Sequence, residues 1–325
     1  MRKIIIHFLA IVLVVQITKV TANKFEPYTL NGGLASAIAG KNYVIIASDT
    51  RLSDGYNILT REYTSSRLWA ATDTDIDLLQ EDGSVIIPSE EASITLTNDA
   101  SSTTKTDGTQ SQFSYSHSKC PTFVASSGCA TDCESLKRQI RSEIGAHQNW
   151  NHGRSTLTPT GVANLLGQTL YSRRTFPFYS FCVCAGLETH GPGHVHVYDA
   201  IGSHERVAVA STGNGKEMLQ PILDRMFATA SRVQNEDSSL VNKLQKDGRA
   251  VHASDQRVGL KLQPPVKTHV SCDEKEALAM LVRGYRSVAE REISIGDNVV
   301  VCILRRQKFG ECFGMEVMRF PLKKH

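Results

Sequence analysis

Residues 30–55 read LNGGLASAIAGKNYVIIASDTRLSDG, and two runs inside them set the fold. GLASAIAG (33–40) and YVIIASDTRLS (43–53) are rich in small and β-branched residues, which suit strands. GKN lies between them with turn chemistry, so the two runs are expected to pair as a hairpin. YNILTRE (56–62) is expected to extend the same sheet.

Further strands and helices follow from periodicity. TFVASSGCA (122–130) reads as a strand entering a small-residue turn. In TDCESLKRQIRSEIGAHQNW (131–150), Leu136, Ile140 and Ile144 recur at i, i+4 and i+8, the signature of one helical face. Thr131 and Glu134 are expected to form its capping box. TPTGVANLLGQTLYSRR (158–174) predicts a second helix, with Thr158 as cap, Pro159 in the first turn, and a buried stripe of Val162, Leu165, Leu166, Thr169 and Leu170. FPFYSFCVCAGLE (176–188) and HVHVYDAIGS (194–203) read as strands joined by the turn THGPG. KEMLQPILDRMFATA (216–230) predicts a helix despite Pro221. SCDEKEALAMLVRGYRSVAEREI (271–293) predicts another, capped by Ser271 and Glu274, with Ala277, Met280, Leu281, Tyr285 and Val288 facing the core. DNVVVCILRR (297–306) and CFGMEVMRF (312–320) are the closing strands. Helices grouped in sequence, rather than alternating with strands, argue against a doubly wound parallel sheet. The expected class is α+β with mostly antiparallel pairing, and two sheets stacked face to face with helices outside would fit it.

Two segments break the pattern. Residues 72–119 are dense in Ser, Thr, Asp and Gly, and residues 231–265 are polar and aperiodic. The composition of 72–119 buries too little apolar area to offset chain entropy, so it is expected to be a long, mostly disordered surface insertion with SVIIP (84–88) at best a stray strand, and 231–265 is expected to be a second insertion. Residues 1–24 form a leader with a basic start, an apolar run at 4–15 and the small residue Ala22. That layout is signal-like, and the run falls short of the roughly 20 apolar residues of a membrane span. A removable pro-segment and a misassigned start codon are the other readings of the leader.

With Lys+Arg 36, Asp+Glu 33 and net charge +3, the chain lacks the basic excess that nucleic acid would select. Several of its eight cysteines lie in apolar runs, as in YSFCVCAG and VVVCILR, and the cysteines are expected to be reduced, structural thiols. Cys182 and Cys184 are too close in sequence for a zinc knuckle, and Cys129 and Cys133 lack a second pair. His190, His194 and His196 have no evident further ligand nearby in sequence, so His194 and His196 are read as hydrogen-bonded strand histidines. The pairs Arg173–Arg174 and Arg305–Arg306 read as solvated or ion-paired surface, with contact to a neighbouring chain as the second possibility. No metal or cofactor is expected.

The stretch 31–62 resembles the start of a proteasome beta subunit. LLGQTLYSRRTFPFYSFCVCAGLE (165–188), HVYDAIGSHER (196–206), GNGKEMLQPILD (213–224) and YRSVAEREISIGDNVVVCIL (285–304) follow in that family's order. The likeness covers residues 25–325 apart from the two insertions. It is strongest to the non-catalytic branch whose members fill the sixth position of the beta ring. The resemblance implies the N-terminal-nucleophile hydrolase fold, an αββα four-layer sandwich. It implies partners as well: two neighbours in the beta ring, a subunit of the opposite beta ring, and subunits of the alpha ring. The implied location is cytoplasm and nucleus, which conflicts with the signal-like leader.

Active members of that family attack with an N-terminal threonine whose own amine takes the proton. Counting back from SDTR, that position falls on Gly33. The lysine that lowers the local pKa falls near Ser65. The late pattern R-D-x-x-S-G reads R-E-I-S-I-G at 291–296, so Glu292 takes the aspartate position and Ile295 the serine position. Asp49 is retained. Thr29 and Ser36 flank Gly33 but neither follows a glycine in register. The resemblance therefore implies a scaffold without catalysis: an inactive member of a threonine endopeptidase family, serving ring assembly and protein breakdown by its neighbours. An active threonine peptidase and a secreted protein of unknown role are the alternatives. For Asp199 two readings stand level. The resemblance implies that it borders the substrate pocket of the adjacent chymotrypsin-like subunit, and local chemistry makes it a turn residue bonding backbone amides.

Overall fold

The computed structural model describes residues 28–64, 66–72, 110–116, 121–152, 157–188, 190–234, 268–306 and 312–322. The leader, most of both expected insertions, and Ser65 lie outside the described residues. The described chain is α+β, and every strand pairing in it is antiparallel.

The opening hairpin forms as expected. β1 (Leu34–Ala39) pairs with β2 (Tyr43–Asp49), Ala39 standing opposite Val44. Gly40 N donates to Tyr43 O at 2.9 Å to close the turn. Three short strands follow: β3 (Leu52–Asp54), β4 (Asn57–Thr60) and β5 (Leu68–Ala70). β4 does not extend the sheet of β1 and β2. It folds back on β3 as a separate two-stranded ribbon, because Gly55, at φ +57, turns the chain immediately before it.

β12 (Asn298–Arg306) lies beside β2, and β13 (Cys312–Pro321) beside β12. The first sheet runs β11-β1-β2-β12-β13-β6, where β11 is Val209–Gly213 and β6 is Gln110–Ser116. β6 corrects the sequence reading, because residues 110–116 fall inside the segment expected to lack structure. The open edge of β13 offers backbone groups that need partners, and QSQFSYS carries a period-2 alternation that its Ser- and Thr-rich flanks obscured. The second sheet runs β10-β9-β8-β7-β5, with β7 at Phe123–Gly128, β8 at Ser180–Gly186, β9 at His194–Tyr198 and β10 at His204–Arg206.

Alternation along the strands divides the apolar side chains into three clusters. Ala35, Ala37, Val44, Ile46, Val300 and Cys302 of the first sheet meet Phe123, Val183 and Val195 of the second. The other face of the first sheet, with Leu34, Ile45 and Val301, meets Leu219 and Leu223 of α3 (Lys216–Gln234) and Leu281 and Tyr285 of α4 (Glu274–Ala289). The other face of the second sheet, with Val124, Cys182 and Cys184, meets Leu136, Ile140 and Ile144 of α1 (Ala130–Trp150) and Val162, Leu166 and Leu170 of α2 (Pro159–Ser172). The helical stripes expected from the sequence face the core, with Leu165 and Met280 only half-buried at their margins.

The helix caps differ from expectation in two of three cases. Thr158 caps α2, its Oγ1 accepting from Gly161 N at 3.1 Å. α1 begins two residues earlier than a Thr131 cap allows, with Cys129 at the cap position making no side-chain cap bond. Its first amide is satisfied from outside, since Asn31 Oδ1 accepts from Ala130 N at 2.9 Å. Glu134 turns instead to Ser66 and Arg138. α4 begins at Glu274 behind Asp273, and Glu274 pairs with Arg305 rather than reaching back to Ser271.

Cys129, Cys133, Cys182, Cys184, Cys272 and Cys302 are buried thiols. Burial pushes the Cys184 thiol up to about 12 and raises Cys133 and Cys182 as well.

Candidate functional site

Gly33 enters β1 at φ +96, directly after Gly32 at φ +70. Both values lie where only glycine is comfortable. Behind them the chain is sewn down on several sides. Asn31 N donates to Gly128 O at 3.0 Å, Asn31 Nδ2 to Ser53 O at 3.2 Å, and Asn214 N to Gly33 O at 3.0 Å. Farther back, the Tyr28 hydroxyl donates to Pro177 O at 2.9 Å, and its ring stacks on Phe176.

Asp49 ends β2 and is fully buried. Its Oδ1 accepts from Leu34 N at 2.9 Å, so the carboxylate is tied to the residue that follows Gly33. Burial pushes Asp49 up to about 6, against the opposing pull of Arg67 and of the backbone amides of Leu34, Gly296 and Arg51.

The cation beside Asp49 is Arg67. It lies two residues beyond Ser65, and the reading of the sequence missed it. Arg67 Nε stands 3.9 Å from Asp49 Oδ1, with both side chains buried. Arg67 Nη1 donates to Gly32 O at 2.9 Å, while Nη2 donates to Asn31 O at 3.1 Å and to Arg51 O at 2.8 Å. The Tyr63 ring lies 5.6 Å from the guanidinium carbon. A basic residue directly before an apolar strand, in SSRLW, was the available signal; a buried arginine in that place must have acceptors nearby.

The remaining residues of interest divide. Glu292 folds onto its own turn, where Oε1 accepts from Ser294 N at 3.2 Å and from Ser294 Oγ at 2.8 Å. Ser294 in turn crowds Gly32, since a β-carbon there would come 2.7 Å from Ser294 Cβ. The structure thus brings Gly33, Asp49 and the turn of Glu292 to one place. Ile295 is buried in the core with α3 and α4. Ser36 is buried 2.9 Å from the Tyr285 hydroxyl, and Thr29 is exposed.

Asp199 lies elsewhere, in the turn between β9 and β10. Its Oδ1 accepts from Ile201 N at 3.0 Å and Ser203 N at 2.8 Å, which is the turn chemistry expected of an aspartate there. The same residue lines an open cup of about 680 Å³ with Asn164, Gln168, Tyr171, Ile201 and His204.

His194 and His196 point to one face of β9 and are buried. His194 Nε2 lies 3.5 Å from Glu188 Oε2. Among the described residues neither ring nitrogen of His196 has a hydrogen-bond partner, which corrects the expectation of a satisfied histidine. Burial, with His204, His194 and Arg206 nearby, pushes His196 down to about 4. Among the described residues no group of three or more His, Cys, Asp or Glu is placed to hold a metal ion. The arginine pairs are engaged within the chain: Arg173 and Arg174 lie over the rings of Phe178 and Tyr171, Arg305 pairs with Glu274 and Glu316, and Arg306 donates to the carbonyls of Glu188 and Gly191.

Residues 119–257 match the family model described as Proteasome subunit. A relative from Petunia hybrida is 30% identical over 287 residues, spanning 88% of this chain and 93% of its own. The chain belongs to the proteasome beta-subunit family, a family of threonine peptidases. Within that family it is similar to proteins named proteasome subunit beta type-1. The Petunia relative carries that name. So does one from Dictyostelium discoideum, 32% identical over 210 residues, covering 64% of this chain and 67% of that one. So does one from Danio rerio, 26% identical over 302 residues, covering 93% and 90%.

Proposed function

We propose that this chain is a non-catalytic beta subunit of the 20S proteasome core particle, filling the sixth position of the beta ring. The observation that carries the reading is Gly33. It stands in the place of the nucleophile, beside the retained Asp49, and it offers no hydroxyl. Glu292 takes the aspartate position but is bonded to its own turn. Ser65 stands near the lysine position and lies outside the described residues. On this reading the chain is a single family domain from residue 25 to residue 325, interrupted at about 72–119 and 231–265. Its architecture is the αββα sandwich of the N-terminal-nucleophile hydrolases, supported by apolar clusters between the two sheets and on the outer face of each. The chain contributes surfaces rather than chemistry: to two ring neighbours, to the opposite beta ring and to the alpha ring, in cytoplasm and nucleus. Protein breakdown, ubiquitin-dependent and otherwise, is carried out by neighbouring subunits.

Purification of the native assembly through this chain tests the reading. The expected result is co-purification of alpha and beta proteasome subunits, with the N-terminus of this chain at or before Tyr28. Cleavage between Gly32 and Gly33 would cut the backbone between two anchors, the carbonyls of Asn31 and Gly32 held by Arg67 and the strand that begins at Leu34. A chain recovered alone, or only from secreted material, would sink the assignment.

Asp199 is proposed to shape the substrate pocket of the adjacent chymotrypsin-like subunit. Asp199→Asn is the informative change, because asparagine keeps the Oδ1 acceptor that holds the turn and removes only the charge. Within the assembled particle, kcat/KM for chymotrypsin-like peptides of differing charge should shift relative to one another by about threefold, or roughly 0.6 kcal/mol. Unchanged selectivity would leave Asp199 as a turn residue alone.

A further inference from the structure

We propose that Arg67 plugs the site, so that absence of the hydroxyl is not the only bar to reaction there: the space a side chain at position 33 would need is filled by a guanidinium that cannot readily leave. This rests on the reading of Gly33 as the nucleophile's place, but the steric part stands apart from it. A β-carbon at position 33 would come 1.2 Å from Arg67 Nη1, 2.0 Å from Cζ and 2.5 Å from Nη2. These are atoms at the end of a long side chain, which in many settings would simply swing aside. Here the swing is opposed on every side. Nη1 and Nη2 donate to three backbone carbonyls, those of Gly32, Asn31 and Arg51. The residue is 2% exposed. Asp49, beneath it, would lose its nearest cation.

Removing a buried cation strands its acceptors, and charge-assisted bonds to carbonyls are the stronger kind. The plug and the glycine therefore require each other. Arginine fits because position 33 has no side chain, and the left-handed course of Gly32 and Gly33 is held by the carbonyls that arginine gathers. Restoring a threonine alone would set a hydroxyl against the guanidinium rather than against a substrate.

A double-mutant cycle on the full chain tests this. Gly33→Ala should lower Tm in the parent by about twice or more the loss it causes in an Arg67→Gly background, where only the left-handed backbone strain remains. Arg67→Lys, which keeps a charge but lacks the planar fork, serves as a second background and should also show a reduced loss. Losses that add in both backgrounds would overturn the plug. The chemical arm is Gly33→Thr alone: the bond before position 33 should remain intact by mass, and a peptide aldehyde should fail to label the chain. Labelling or self-cleavage of that single variant would overturn the proposal. Failure of the ring assignment would appear separately, as missing proteasome subunits in the purified assembly.

Discussion

Asp297→Asn is expected to lower the stability of this chain by about 3 kcal/mol, the scale on which breaking one side of a buried ion pair is felt. Asp297 lies at φ 62, which asparagine tolerates, so the backbone is not the source of the loss. The source is Arg51. Its Nε and Nη2 donate to Asp297 at 2.7 and 3.1 Å, its side chain is 6% exposed, and Arg61 approaches the same carboxylate from the surface. Arg51 also donates to Ile293 O at 2.9 Å, so the pair joins the end of β2 to the loop that carries Ser294. An asparagine leaves this buried guanidinium without its counter-charge. For a domain of 150–250 residues about 3 kcal/mol corresponds to a fall in Tm of roughly 6–12 °C. Burial alone would raise Asp297, but the hydrogen bonds and charges of Arg51 and Arg61 hold it below its usual 3.8. Its contribution is therefore present above pH 3.8 and lost as pH falls through the lower folded value. The gap between parent and variant in thermal unfolding should be wide at pH 7 and should narrow only as pH falls below 3.8. A gap that stays the same at low pH would mean that the loss comes from packing rather than charge.

Two buried groups should pull the acid response in opposite directions. His196 has a folded value near 4 against 6.5 ordinarily, so the unfolded chain takes up a proton first, and stability is lost as pH falls from 6.5 towards 4. Asp49 has a folded value near 6 against 3.8, so the folded chain takes up a proton first, and stability is gained as pH falls from 6 towards 3.8. Each of these differences is on the order of 3 kcal/mol. In the shared window between pH 6 and 4 the two largely cancel in the parent. Asp49→Asn removes the gain and should steepen the fall in urea midpoint across that window. His196→Phe removes the loss and should tilt the midpoint the other way. Parallel profiles for parent and both variants would show that neither group is perturbed as its surroundings require.

Much of this fold was legible because burial writes a period into sequence. The hairpin of residues 33–53, the stripe Leu136–Ile140–Ile144 and the stripe around Leu281 and Tyr285 all come from local alternation. The features that escaped are those whose partners are far away in the chain. Asn31 supplies the amide acceptor for α1 from 99 positions earlier, so no local capping pattern encodes it. The place of Arg67 before an apolar strand hints locally at burial, but only the folded chain brings the carbonyls of Asn31, Gly32 and Arg51 around it. β6 was hidden for a different reason: a strand that completes an edge through backbone bonds has less need of apolar residues than one inside the core. At the candidate site the glycine and the aspartate could be found by counting from SDTR, whereas the cation between them could not.

The buried thiols have a consequence for how this chain ages. A thiol reacts as its thiolate, and oxidants and electrophiles need to reach the sulfur. Cys133, Cys182 and Cys184 meet neither condition in the folded chain, since burial both raises them and closes the approach. Their chemistry waits on opening of the second sheet and its helices, an event as rare as the local stability there makes it. Slow oxidative damage at these positions is therefore a record of how often the fold has come apart, and a chain that stays closed carries its sulfur unmarked.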